Sequence, residues 1–179
     1  MKTFIASGIA AAALVSAASA DVTFSFTNQT WTGFNFTEAY AAGSLTGTLT
    51  GVSVNATLNA STNYTYADDL CVYINPSPLS LGGLLQVGGF SNLNATQRYS
   101  WANGGSSAPG TTVTGTKTLT TGIDMAANPL QSIWVGNGYG AAGTSGTWTG
   151  TITLIGVVPA PGAVALLGLA GLTGRRRRA

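Results

Sequence analysis

Side chains able to do chemistry are scarce in this chain. Its 179 residues hold five carboxylates, seven basic groups, one cysteine and no histidine, and charged residues make up only 7% of it. An average soluble domain carries roughly 25%. Without histidine, a Ser-His-Asp triad, a Cys-His pair and a His-ligated metal site are all excluded. The single cysteine rules out an intrachain disulfide framework and cysteine-rich metal sites. Cys71 lies in the apolar run Leu70-Cys71-Val72-Tyr73-Ile74, where it reads as a small buried hydrophobe and not as a reactive thiol.

The carboxylates offer little more. Asp68 and Asp69 are adjacent, and neighbours on a strand point to opposite faces. Placed before a strand, the pair reads as a turn cap, with a Ca2+ loop as the alternative. No other cofactor is implied. Glu38 and Asp124 would have to meet to act as a glycosidase pair, and nothing around either supports that. A nucleophilic Ser or Thr has no base in sight. The chain therefore reads as a non-enzyme, with a secreted hydrolase kept only as a remote alternative.

Aromatic residues are the other candidates. Trp31, Trp101, Trp134, Trp148, Tyr99 and Tyr139 could stack on pyranose rings, whose C–H faces match aromatic π-surfaces. Trp134 and Trp148 read as core. Trp101 and Tyr139 adjoin Gly/Asn-rich loops and are the better glycan-binding candidates, which makes a carbohydrate-binding module the main alternative function.

What must position these residues is a set of strands. From Asp21 to Gly156 the dominant hydrophobic period is two, beginning with Val22, Phe24 and Phe26 between Thr23, Ser25 and Thr27. Gly33 interrupts the phase, as a bulge would. Further strand candidates include the stretch from Leu45 to Leu58, Leu70–Asn75, Leu84–Val87, Gln97–Trp101, Thr111–Thr121, Gln131–Val135 and Thr147–Ile155. Turn formers such as Asn75-Pro76-Ser77-Pro78, Gly88-Gly89 and Gly136-Asn137-Gly138 separate them. Eight to ten short strands of this kind predict an all-β fold, a single β-sandwich or jelly roll, each strand burying one face. Six Asn-x-Ser/Thr triplets, at Asn28, Asn35, Asn55, Asn59, Asn63 and Asn94, read as part of a Thr/Ser/Asn-rich surface.

The two ends differ from this middle. Lys2, the apolar stretch from Phe4 to Val15, and Ala18-Ser19-Ala20 form a secretory signal peptide over residues 1–20, read by signal peptidase at Ala18 and Ala20 and cut before Asp21. At the other end stand Pro159-Ala160-Pro161-Gly162, an apolar stretch from Ala163 to Leu172, and the cluster Arg175-Arg176-Arg177-Arg178. The uncharged stretch from Val157 to Gly174 would span about 27 Å as a helix, marginal for a hydrocarbon core of about 30 Å. The arginines would stay cytoplasmic and stop transfer. Between the ends, Arg98 and Lys117 stand against Asp21, Glu38, Asp68, Asp69 and Asp124. The formal charge of +2 thus belongs to the ends, and the mildly acidic middle argues against a nucleic-acid surface.

This C-terminal order of motif, apolar stretch and arginine cluster resembles the PEP-CTERM sorting signal of Gram-negative bacteria, with Ala160 where the usual motif has Glu. The resemblance covers residues 157–179. It implies recognition by an exosortase-type membrane transpeptidase, transient contact of a short hydrophobic helix with the membrane, and delivery to the cell surface or to an exopolysaccharide matrix. A plain C-terminal membrane anchor is the alternative. Separately, the segments Tyr66–Ile74 and Gly146–Leu154 are similar to parts of the P-domain jelly roll that accompanies subtilisin-like proprotein convertases, which implies a jelly roll and says little about activity. The combined expectation is a signal helix over 1–20, a β-sandwich over 21–156 and a sorting segment over 157–179, with a structural or adhesive role outside the cell.

Overall fold

A computed structural model describes residues 21–78 and 80–162. The expected signal helix with Ala18 and Ala20, the apolar helix from Ala163 and the Arg175–Arg178 cluster lie outside the described residues. Among those described, no helix is long and apolar enough to cross a membrane.

The described residues form nine strands in two sheets. One sheet holds β1 (Val22–Thr32), β3 (Leu45–Thr62), β7 (Thr111–Asp124) and β9 (Ser145–Pro159), in the order β1-β9-β3-β7. The other holds β2 (Phe36–Tyr40), β4 (Leu70–Asn75), β5 (Leu85–Val87), β6 (Gln97–Tyr99) and β8 (Ser132–Asn137), in the order β2-β8-β4-β5-β6. Every pairing is antiparallel except β5 with β6, which is parallel. The chain is a β-sandwich, as the alternating pattern requires.

In the four-stranded sheet the period-two reading holds. Val22 and Phe26 face the core while Thr23, Ser25 and Thr27 face outward. The phase change falls at Asn28, not Gly33: pairing with β9 slips between Phe26 and Gln29, and Asn28 takes a left-handed φ of 49°. The extra residue returns Trp31 to the core side. Asn63 and Asn94 also have left-handed φ values, 52° and 54°. Three of the Asn-x-Ser/Thr asparagines are thus placed where an amide side chain tolerates this backbone best. The outward face is rich in hydroxyls: Thr23 meets Thr153 and Thr30 meets Thr147 across the β1–β9 pair.

The five-stranded sheet departs from the expected alternation. Strands β4 and β5 are buried along their whole length, and β8 nearly so. Their inward side chains, among them Leu70, Ile74, Leu85 and Ile133, meet Trp31, Leu49, Leu58, Trp148 and Ile152 of the other sheet in the main core. Their outward side chains form a second cluster around Cys71, Tyr73 and Leu93, joined by Phe36 and Trp134. The connection between β5 and β6 supplies Leu93, so this chain excursion roofs the sheet. Trp134, expected in the core, belongs to this outer cluster, and its indole N–H donates to the Asn75 carbonyl at 2.8 Å.

The expected end of the domain at residue 156 also shifts. Strand β9 continues to Pro159, which pairs with Leu45, and Val157 is fully buried.

Candidate functional site

Three connections meet at one end of the sandwich. The first joins β3 to β4 and carries Tyr64, Tyr66 and a 3-10 turn at Ala67–Asp69. The second leaves β5 through Gly88 and Gly89 to Phe90, and the third leaves β8 through Gly138 to Tyr139. The Asp68-Asp69 turn is their hub. The Asp68 carbonyl accepts the Gly89 N–H at 3.0 Å, the Asp69 carbonyl accepts the Gly138 N–H at 2.8 Å, and Ser91 N–H reaches the Gly138 carbonyl at 2.9 Å. Gly138 is required where it stands. A Cβ there would lie 2.5 Å from Gly89 Cα and 2.9 Å from the Cys71 Cβ, closer than packed atoms allow.

Buried amides hold the loops still. Gln86, fully buried, donates to the carbonyls of Gly88 and Ser91 and accepts the Leu93 N–H. Asn137, also fully buried, accepts the Tyr139 N–H at 3.0 Å. Both networks satisfy groups that would otherwise be costly to bury. The loops are therefore preformed, not draped.

Between them lie two adjoining hollows. One, of about 160 Å3, is lined by Tyr64, Tyr66, Asp69, Phe90 and Tyr139. The other, of about 300 Å3, shares Tyr66, Asp69 and Phe90 and adds Asp68, Arg98 and Trp101. The aromatic rims are open to solvent: Tyr64 is 78% exposed, Phe90 74% and Tyr66 40%. Phe90 and Tyr139 meet edge-on with centroids 5.5 Å apart and planes at 79°, a favoured aromatic geometry.

In the Asp68-Asp69 turn the capping carboxylate is that of Asp69. Asp69 is only 5% exposed, and its Oδ2 accepts the Tyr66 N–H at 2.8 Å. Burial raises its carboxyl to about 6, the charge of Asp68 adds to the rise, and backbone N–H groups of Tyr66 and Phe90 oppose it. Burial also raises the Asp68 carboxyl, against a hydrogen bond from its own backbone N–H. The Tyr66 amide thus occupies Asp69 Oδ2, and the Arg98 guanidinium lines the same hollow. This donor set fits a capped turn better than a Ca2+ loop, which needs six to eight oxygens. Among the described residues no group of three or more His, Cys, Asp or Glu is placed to hold a metal.

Of the two expected glycan-binding residues, Tyr139 lies in the cleft and Trp101 does not present a ring to solvent. Trp101 is 6% exposed, and its indole N–H donates to the Leu70 carbonyl at 2.7 Å. The adjoining glycine loop covers the ring: Gly88 sits so close that a Cβ there would collide with its Nε1. Trp101 is the floor of the polar hollow, not a platform. Tyr64, Tyr66 and Phe90 were not legible as site residues, since each sits in a loop of ordinary turn composition.

The remaining candidates stay apart. Glu38 is exposed on β2, while Asp124 ends β7 and accepts the Ala126 N–H at 2.9 Å. A third hollow, of about 750 Å3, includes Asp124 but not Glu38. It is the seam where β6 faces β7. There Tyr99 and Gln97 side chains hydrogen-bond the Thr120 and Thr121 backbone, which closes the edge. Its polar groups are already matched to one another, so the smaller aromatic cleft is the better site despite its size. Cys71 is fully buried, and burial pushes its thiol up. Pro159 is paired in the sheet, the Ala160 N–H donates to the Ser44 carbonyl at 2.8 Å, and Pro161 and Gly162 are exposed. Comparison with protein-family models, curated proteins and solved structures finds no match for this chain.

Proposed function

We propose that this chain is an exported cell-surface or extracellular-matrix protein of a Gram-negative-type bacterium, with a structural or adhesive role. Signal peptidase would act before Asp21. An exosortase-type transpeptidase would then act at Pro159–Gly162, with Arg175–Arg178 holding the chain in the membrane meanwhile. The observation that carries this reading is where the sandwich stops. Among the described residues the last sheet bond ties Ala160 to Ser44, and Pro161 and Gly162 stand exposed immediately beyond it. The motif therefore straddles the rim of the sheet: Pro159 and Ala160 are held by it, while Pro161 and Gly162 are open to a processing enzyme.

Within the β-sandwich class, the strand orders support a jelly-roll connectivity. With β6 set aside as an addition beside β5, four strands alternate against four in the two-Greek-key pattern. The hydroxyl-rich, sparsely charged β1-β9-β3-β7 sheet supports residence in a sugar-rich matrix with little charge steering. No residue is assigned a catalytic role.

The test is the C-terminus of the protein recovered from cells. Mass spectrometry finding it within a few residues of Pro161 supports sorting. An intact arginine cluster in the membrane fraction would replace this reading with a plain anchor.

A further inference from the structure

We propose that the cleft between Tyr64, Phe90 and Tyr139 binds a neutral saccharide, one pyranose ring stacking in the aromatic hollow while its hydroxyls extend into the polar one. Three observations converge on this ligand class.

The first is exposure against chemistry. Tyr64 and Phe90 are among the few large hydrophobic side chains left open, and both come to the same hollow from loops far apart in sequence. Neither contributes to the buried core clusters. Aromatic groups gathered at an open concave site mark a binding surface.

The second is strain. Tyr64 holds a left-handed φ of 61°, directly after Asn63 at 52°. Gly or Asn would adopt this backbone more easily, and a bulky residue there is an outlier. The Asn63 side chain pins the pair by donating to the Gly143 carbonyl at 3.0 Å. The turn therefore aims an aromatic ring outward, at a conformational cost that core packing does not explain. Strain of this kind gathers at ligand clamps.

The third is the join between the hollows. A pyranose is amphipathic, with C–H faces and a hydroxyl rim, and needs aromatic surface beside hydrogen-bonding groups. Here the aromatic hollow runs directly into one lined by Asp68, Asp69 and Arg98. Two carboxyls beside one guanidinium, which already donates to the Phe90 carbonyl, favour a neutral sugar over a uronate. The two hollows, of about 160 and 300 Å3, lie at or below the lower end of ligand pockets, roughly 300 Å3, and suit one or two rings.

The experiment is affinity electrophoresis of the full chain through gels containing galactomannan, glucomannan, hydroxyethylcellulose, soluble starch or dextran, with alginate as the anionic comparison. Retardation is expected in at least one neutral gel, weakened about tenfold in Phe90→Ala and in Tyr64→Gly. Leu130→Ala, which removes an equally exposed side chain outside both hollows, should bind as the wild type does. The thermal midpoint of Phe90→Ala should stay within about 2 °C of wild type, since its side chain is not buried, and that of Tyr64→Gly should be no lower than wild type, since Gly relieves the left-handed backbone. Passage through every neutral gel unretarded would overturn the assignment. So would retention unchanged in the Tyr64→Gly/Phe90→Ala double variant, or retention in alginate alone that salt abolishes. These outcomes are separate from the fate of the C-terminus, which tests the sorting proposal.

Discussion

Asp69 ties the candidate cleft to the stability of the domain, and replacing it with Asn isolates one carboxyl. Its side chain is nearly sealed from water, and burial raises its titration to about 6, against about 3.9 in an unfolded chain. The folded state therefore binds the proton more tightly than the unfolded state. Stability from this group is fully present below about pH 4 and is lost as pH rises through about 6. A difference of roughly two pKa units at about 1.4 kcal/mol each corresponds to about 3 kcal/mol. Asp69→Asn keeps an oxygen for the Tyr66 N–H but does not ionise. It introduces a fixed offset, from the amide nitrogen turned toward the Phe90 N–H, that does not change with pH. The raised carboxyl of Asp68 acts in the same direction in both proteins and largely cancels from the difference. Urea unfolding of both proteins at about half-unit steps from pH 3.5 to 7.5 measures the effect. Wild-type stability minus variant stability should fall by about 3 kcal/mol across the range, with its steepest slope between about pH 4 and pH 6. A difference that stays flat within about 0.5 kcal/mol would show that water reaches the carboxyl and refute the reasoning.

Other expectations test the scaffold. Trp148, fully buried and donating its indole N–H to the Ala67 carbonyl at 3.2 Å, should cost about 3–5 kcal/mol as Trp148→Ala in the same unfolding assay. Gly138→Ala forces a methyl against Gly89 Cα, and the clash should cost at least about 1–3 kcal/mol. Cys71, buried on β4 beneath the excursion that roofs the five-stranded sheet, should resist a thiol reagent in native buffer and react promptly in denaturant.

The strands were legible because their cause is local. Alternation of Val22, Phe24 and Phe26 with Thr and Ser is a property of neighbouring residues, and one buried face demands it wherever the strand ends up. Even so, two details escaped. The bulge fell at Asn28 and not at Gly33, because an Asn in left-handed conformation does the same work as a glycine and carries no stronger signal. The unbroken apolar run of β4 hinted at burial on both faces, yet only the β5–β6 excursion carrying Leu93 showed what covers the outer one.

The amino-acid sequence by itself determined the class of the fold, the absence of histidine-dependent chemistry and the apolar setting of Cys71. Each of these depends on residue type or on neighbours a few positions away. The cleft depended on the tertiary structure alone. Tyr64, Phe90 and Tyr139 come from three separate connections, and only the pairing of sheet edges and the carbonyls of one turn bring them together. Trp101 shows the same principle in reverse. Its glycine-rich neighbourhood suggested an open ring, but the carbonyl of Leu70, 31 residues away, claims its N–H, and Gly88 closes over it. Exposure is a property of what packs against a residue, and for these loops that partner is always distant in the chain.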